Sequence, residues 1–189
     1  MWYFSVSSIK AILSSFNRVR RDRIFVWNNW VPKKVGIVAW RAINEKLPTR
    51  TALALRRVNV PDLSCLFCGE YAESCEHIFV TCHFAQMVWQ NIAIWCKMPP
   101  ILAFDFKDLL ELHGFSSGLR KRKKATHALV LIVGWCIWKT RNETMYNNGI
   151  LNVLKVLEEV KSLGFLWVKN RSKEAFLTWE DWSRFSCFA

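Results

Sequence analysis

Apolar side chains recur every three or four residues along much of the chain, which is the spacing of one face of an α-helix. The clearest stripe, Val35, Val38 and Ala39, follows Pro32, and proline is favoured at the first helical position. The pattern predicts long helices over residues 8–16, 32–45, 125–147 and 152–168. It also predicts shorter helices after the cap Thr49, from Ser74 through Trp95 to a stop near Pro99, from Asp105 to Leu112, and around Trp179 and Trp182.

One stretch departs from this periodicity. Residues 65–76 contain few apolar side chains, and Gly69 permits a tight turn there. The longest apolar run, Ala128 to Trp138, is shorter than the roughly 20 residues that cross a bilayer, so a buried helix is predicted. The predicted fold is therefore mainly α, with a small loop segment between amphipathic helices, a helical C-terminal region and no membrane span.

Composition supports a folded protein and excludes a disordered one. Of the 189 residues, 52% are hydrophobic, and 11 Trp and 13 Phe supply ample material for a core. We predict a first domain over residues 1–98 and a helical C-terminal region over residues 99–189. The N-terminus lacks the charged and apolar regions of a secretory signal, so an intracellular protein of the nucleus or cytoplasm is expected.

Charge is unevenly distributed along the chain, whose net charge is +12. Residues 1–60 carry 12 basic and 2 acidic side chains, residues 61–118 carry 2 basic and 7 acidic ones, and residues 119–189 carry 13 basic and 6 acidic ones. Two basic segments thus flank an acidic one. A basic surface indicates an anionic partner, usually nucleic acid, although many basic proteins have none.

The loop segment contains the spacing C-x2-C-x8-H-x4-C, formed by Cys65, Cys68, His77 and Cys82. Two cysteines two residues apart direct their sulfurs to one point, and a histidine and a third cysteine complete a tetrahedron around zinc. Four protein ligands leave no position for water, so the pattern predicts a structural Zn²⁺ site. We call residues 65–82 the knuckle.

The spacing leaves alternatives open. Cys75 could replace His77 as a ligand, and His83 could replace Cys82. The cysteines could also be free thiols of a reduced protein, since seven cysteines do not suggest a disulfide framework. A nucleophilic pair of Cys75 with His77 or His83 is a further alternative, but no third orienting group or Gly-rich turn accompanies it.

Basic residues outside the knuckle are the candidates for phosphate contacts. The run at 120–124 precedes the long apolar helix, where its charge opposes the helix dipole. Exposed aromatic side chains could stack on unpaired bases beside such contacts. The predicted nucleic-acid contacts are Arg18, Arg20, Arg21, Lys33, Lys34, Arg56 and Arg57, with Arg120, Lys121, Arg122, Lys123 and Lys124 as a second patch.

Several blocks of the sequence resemble one known family. The opening Phe4-Ser5-Val6, the block from Trp30 through Arg41, the Leu47-Pro48-Thr49 segment with Arg56-Arg57, and the metal block from Cys65 to Trp89 follow one another in the order of that family's motifs. Over residues 3–95 the chain resembles the reverse-transcriptase zinc-binding domain of plant LINE-type (non-LTR) retrotransposon polyproteins and derived genes. Trp138, Arg141 and Asn142 resemble a W-x-x-R-N stretch that often follows this domain.

The resemblance favours Cys65, Cys68, His77 and Cys82 as the zinc ligands over Cys75 and His83. It implies a non-catalytic accessory domain, because polymerisation in the parent protein belongs to an upstream domain with paired aspartates, and this sequence has no Asp-Asp pair. RNA or DNA is the expected partner. The alternative is a protein-interaction or scaffold module that docks on the polymerase domain.

Overall fold

Helices joined by short loops make up most of the chain that the structure describes. The computed structural model describes residues 25–115, 120–172 and 177–186, and none of these residues forms a β-strand. The prediction of a mainly α fold with an embedded Cys/His segment is therefore confirmed. The helices are α1 Lys33–Ile43, α2 Arg50–Leu55, α3 His83–Trp95, α4 Phe106–Phe115, α5 Arg120–Asn147, α6 Val153–Ser172 and α7 Trp179–Ser183, with a π-helical turn at His77–Thr81.

The predicted helix over residues 8–16 lies outside the described residues, and so do Arg18, Arg20 and Arg21.

Helix α5 is the centre of the fold. Its residues from Ala125 through Val133 are buried without interruption, and burial continues through Ile137 to Arg141. A helix that is apolar on all sides needs neighbours on all sides. Helices α1, α4 and α6 pack directly against α5, while α3 packs against α6 and the π-helical turn.

Local sequence signals set the ends of several helices. Thr49 caps α2 by accepting a hydrogen bond from the backbone N–H of Ala52 at 3.2 Å, as predicted. Asp105 likewise accepts from the backbone N–H of Asp108 at 2.8 Å at the start of α4. Helix α7 begins after Thr178, whose hydroxyl accepts from the backbone N–H of Asp181.

Two departures from the predicted helices concern the knuckle and the basic run. The helical segment expected from Ser74 to Trp95 is interrupted at Cys82, whose backbone is extended (φ −67°, ψ 132°). The basic run at 120–124 was expected ahead of the long helix, but it forms the first turns of α5. Burial of the following apolar residues outweighs the unfavourable interaction of these charges with the helix dipole, because that interaction is worth less than about 1 kcal/mol per charge at an exposed terminus.

One buried cluster joins the two predicted parts of the chain. It includes Val35, Ile78 and Val88 from the first part and Leu131 and Val160 from the second. The division into residues 1–98 and 99–189 stays a prediction, and the packing places both parts around the same core. No helix among the described residues has the length and apolar character needed to cross a membrane.

Candidate metal centre

The first ligand pair lies on a short turn that the backbone holds closed. Gly69 has a positive φ of 72°, which glycine adopts without strain, and its N–H donates to the carbonyl of Cys65 at 2.8 Å. The N–H of Cys65 in turn donates to the carbonyl of Tyr71 at 2.7 Å. This turn brings Cys65 and Cys68 to one side of the loop.

The second ligand pair lies on the π-helical turn. Its wider winding lets the N–H of Cys82 donate to the carbonyl of His77, five residues earlier, at 2.8 Å. His77 is buried, and its Nδ1 lies 3.1 Å from Oγ1 of Thr81. With the proton on Nδ1, Nε2 keeps its lone pair and faces Cys68 Sγ at 3.3 Å.

The four predicted ligands converge. One ligand atom from each of Cys65, Cys68, His77 and Cys82 lies within 4.8 Å of the others, and Cys65 Sγ is 4.0 Å from Cys82 Sγ. Zinc with bonds of about 2.3 Å to sulfur and 2.0–2.1 Å to nitrogen would separate tetrahedral ligands by roughly 3.5–3.8 Å. The donor set and its spacing therefore fit zinc, which would act here as a structural cross-link.

The surroundings of Cys82 and His77 favour metal binding. The pKa of the Cys82 thiol is lowered because Cys65 donates a hydrogen bond to it; burial opposes this shift, and the N–H groups of Phe84 and Ala85 at the start of α3 support it. The same hydrogen bond and burial raise the pKa of Cys65. Burial lowers the pKa of His77, which keeps the imidazole neutral and able to coordinate.

The two alternative ligands do not join this group of atoms. Cys75 is buried outside this group, and burial raises the pKa of its thiol to about 11. At neutral pH that thiol is protonated and therefore a weak nucleophile, and its sulfur is not among the converging ligand atoms. His83 is exposed and lies at the rim of an open cavity of about 610 Å³, together with Glu70 and Met87.

Comparison with known families agrees with this geometry. A family model described as zinc-binding in reverse transcriptase matches residues 4–89, which is 86 of the 189 residues. Residues 4–89 match the reverse-transcriptase zinc-binding domain. Comparison with curated proteins and with solved structures found no match. The matched segment thus contains all four converging side chains, while α4 to α7 lie beyond it.

The structure brings two of the predicted basic patches together. Lys33 and Lys34 lie exposed in the first turn of α1. The Nζ of Lys34 is 5.0 Å from the ring centre of Trp135 on α5, and the Nζ of Lys124 is 5.0 Å from that of Trp30. Since α1 packs along α5, the patch at 33–34 and the end of the patch at 120–124 lie on neighbouring surfaces.

The remaining basic candidates lie elsewhere in the chain. Arg56 and Arg57 are exposed just after α2, and Arg57 has a positive φ of 62°. Arg120 and Lys121 are exposed in the first turn of α5, whereas Arg122 and Lys123 are half-buried.

Sequence reasoning assigned no role at the metal centre to three residues that lie near it. Thr81 contacts the imidazole of His77, and Glu73 is fully buried beside Arg141, with Oε1 2.7 Å from Nη2. Thr81 follows His77 by four residues, which is a signal for contact on one helical face. Nothing in the spacing of Glu73 and Arg141, 68 residues apart, indicates that they pair.

Proposed function

We propose that this chain is a non-catalytic, zinc-stabilised accessory domain of a retrotransposon-derived reverse transcriptase and that it binds RNA or DNA. The match over residues 4–89 supports the zinc-binding part, and the sequence blocks over residues 3–95 favour a plant LINE-type source. Cys65, Cys68, His77 and Cys82 hold Zn²⁺ as a structural ion. The domain works in the nucleus or cytoplasm beside a polymerase core that resides in the parent polyprotein.

One surface carries the nucleic-acid proposal. Trp27 is 57% exposed, and its ring lies against Gly36 of α1, where a Cβ atom would come within 2.9 Å of it. Residues three apart are neighbours on a helix, so this ring lies beside Lys33. An exposed indole beside a lysine combines base stacking with phosphate contact, as single-stranded nucleic acid requires. We call Trp27, Lys33, Lys34 and Lys124 the basic face.

The basic face is long enough for several nucleotides. Lys34 lies over Trp135 of α5, and Lys124, eleven residues earlier on the same helix, lies over Trp30. On α5, positions 124 and 135 are eleven residues apart, which corresponds to about 16 Å at 1.5 Å per residue. One strand at duplex spacing places a phosphate about every 3.4 Å, which gives about five phosphates over that length.

Salt dependence tests this proposal. Binding of a fluorescent single-stranded oligonucleotide is measured by anisotropy over a range of salt concentrations. Each phosphate that the protein neutralises should contribute about −0.7 to the slope of log affinity against log salt. The double variant K34Q/K124Q should reduce the magnitude of that slope by about 1.4. A flat salt response of the unmodified protein would contradict the proposal.

Two further variants separate stacking from general charge. Trp27→Ala removes the exposed ring, and loss of base stacking costs about 1–3 kcal/mol, or roughly 5- to 150-fold in affinity. Lys155→Gln is the matched control for charge, because Lys155 is exposed on α6 away from the four residues of the basic face. It should leave affinity within about twofold of the unmodified protein, since Lys155 is not part of the proposed contact surface.

A second candidate function is a protein-interaction module that docks on the polymerase domain. Its support is a group of exposed apolar side chains at the end of α5 and the start of α6, namely Tyr146, Ile150 and Leu154, which are 72%, 87% and 66% exposed. Exposed apolar groups of this kind are typical of interaction surfaces. Binding of a purified polymerase domain after nuclease treatment, lost in Ile150→Asp, would favour this function over nucleic-acid binding.

A further inference from the structure

Glu73 lies at the junction between the two ligand pairs, and its side chain is completely buried. Its carboxylate accepts from Arg141 through Nη2 at 2.7 Å and Nε at 3.2 Å, and from the backbone N–H of Arg50 at 2.9 Å. Its own backbone N–H donates to the carbonyl of Leu63 at 2.8 Å, just before the knuckle. Glu73 therefore fixes the base of the loop that carries Cys65 and Cys68.

The same residue is joined to the second ligand pair. Ser74 follows it directly, and the Ser74 hydroxyl accepts from the backbone N–H of His77 at 3.0 Å. The carbonyl of Ser74 accepts from the N–H of Ile78 at 3.1 Å. Ser74 thus caps the turn that carries His77, and any displacement of Glu73 is transmitted to that ligand.

Arg141 anchors Glu73 from outside the matched domain. It lies on α5, beyond residues 4–89, and is 1% exposed. Its guanidinium is also placed over the ring of Trp138 at 5.2 Å, and its Nη1 donates to Oδ1 of Asn142 at 3.1 Å. A planar guanidinium held on three sides fixes a carboxylate in one orientation better than a lysine could.

We propose that Arg141 is a positioning residue of the zinc site, which sets the geometry of His77 and the knuckle by holding Glu73. A folded unit that binds zinc at full affinity then requires α5 as well as residues 4–89. A fully buried ion pair gives little net stability, because desolvation offsets the attraction, so its value here lies in orientation. This inference rests on the zinc site of the proposed function.

Zinc affinity of the full chain tests the inference. It is measured by competition with a chromophoric chelator, and Co²⁺ in place of zinc reports ligand geometry through its visible absorption bands. Arg141→Met should weaken zinc binding by about tenfold or more, in the range seen when outer contacts of metal ligands are removed. It should also shift or weaken the Co²⁺ bands at saturating metal. Arg141→Lys keeps the charge without the paired geometry and should restore part of the affinity.

Lys139→Met is the matched control. Lys139 lies on the same helix and forms ion pairs with Glu143 and Glu159, so this variant also removes a charge pair from α5. It should leave zinc affinity within about twofold and the Co²⁺ spectrum unchanged, because none of these groups contacts Glu73. Equal effects of the two variants would reduce Arg141 to a general stabilising residue and overturn the inference.

A double variant covers the case in which Arg141→Met fails to fold, since a lone buried carboxylate is strongly unfavourable. E73Q/R141M removes both charges and keeps an amide oxygen for the N–H of Arg50. It should fold, as judged by circular dichroism, and still bind zinc at least tenfold more weakly than the unmodified protein. Unchanged affinity in this folded variant would also overturn the inference, whereas an unmodified chain that binds no zinc would instead contradict the proposed function.

Discussion

The contact between Thr81 and His77 fixes which imidazole nitrogen faces the metal. Nδ1 of His77 lies 3.1 Å from Oγ1 of Thr81, and this leaves Nε2 toward Cys68. Thr81→Val keeps the shape of the side chain but removes the acceptor, so zinc affinity should fall about tenfold. Chelator competition measures the change. Thr81→Ser keeps the hydroxyl and should bind zinc like the unmodified protein; equal loss in both variants would contradict this role.

His127 is a second residue whose surroundings set its chemistry. It is 5% exposed, its Nδ1 lies 3.4 Å from Nδ2 of Asn28, and its ring centre is 4.8 Å from that of His113. Burial, followed by the charge of His113, lowers the pKa of His127 to about 4 from an ordinary value of 6.5. The folded protein thus holds the ring neutral at a pH where the unfolded chain would protonate it.

Stability should therefore fall on acidification from pH 6.5 to pH 4. In that range the unfolded state binds a proton at His127 and the folded state does not, so the free energy of unfolding rises with pH. A shift of this size corresponds to about 3 kcal/mol. Urea unfolding of the unmodified protein and of His127→Gln at several pH values measures the difference, which should shrink toward pH 4. The zinc ligands titrate in both proteins, so a constant difference would contradict the assignment.

At the scale of the helices, the close packing of α6 and α7 depends on Gly164. A Cβ atom at this position would lie 2.6 Å from Cζ2 of Trp182, which is fully buried and donates through Nε1 to the carbonyl of Lys161 at 2.8 Å. Gly164→Ala should destabilise the protein by about 1–3 kcal/mol, because the indole must move. For a chain of this length each kcal/mol lowers Tm by roughly 2–4 °C.

Gly114 in α4 provides the control, since a Cβ atom there meets no atom within 4 Å. Gly114→Ala should raise Tm slightly, because alanine favours a helix interior over glycine by up to about 1 kcal/mol. Thermal unfolding followed by circular dichroism measures both variants. Equal responses of the two would mean that the contact with Trp182 does not limit the packing of α7.

The helices were largely predictable from sequence, and the reasons are local. The stripe after Pro32, the cap at Thr49 and the cap at Asp105 each depend on residues within one turn of each other. The start of α5 was misplaced by five residues, because burial beyond Ala125 outweighs an unfavourable run of charges. The break at Cys82 was missed, since a π-helical turn has nearly the same apolar pattern as an α-helix.

A metal site could be predicted from spacing, but the residues that support it could not. Cys65, Cys68, His77 and Cys82 lie within 18 residues, and the family resemblance favoured them over Cys75 and His83, which the spacing had left open. The pairing of Glu73 with Arg141 joins residues 68 apart and depends on how α5 packs against the knuckle. The proximity of the two basic patches could not be predicted either, because only the packing of α1 on α5 brings them near each other.

At the scale of the whole molecule, the metal centre is part of the main core. Cys65 and Cys82 are 1% and 0% exposed and belong to the same buried cluster as residues of α1, α3, α5 and α6. A metal ion bound only by the folded state stabilises all of that state, by about 4 kcal/mol when its concentration is a thousandfold above its Kd. Zinc removal should therefore lower the free energy of unfolding of the whole described fold, which we expect to unfold in a single transition.

Chelation of zinc should lower Tm by about 10 °C, given 4 kcal/mol of lost stability and 2–4 °C per kcal/mol. Helicity at 20 °C should change less, because the contacts of α5 with α1, α4 and α6 do not involve the ligands. The Cys65→Ser variant should have the Tm of the chelated protein, whether or not chelator is present. Cys136→Ser is the matched control, since Cys136 is equally buried but lies on α5 outside the ligand group, and its Tm should still fall on chelation. If chelator leaves the Tm of the unmodified protein unchanged, the metal has no structural role. The convergence of the four ligands inside the core would then have no explanation.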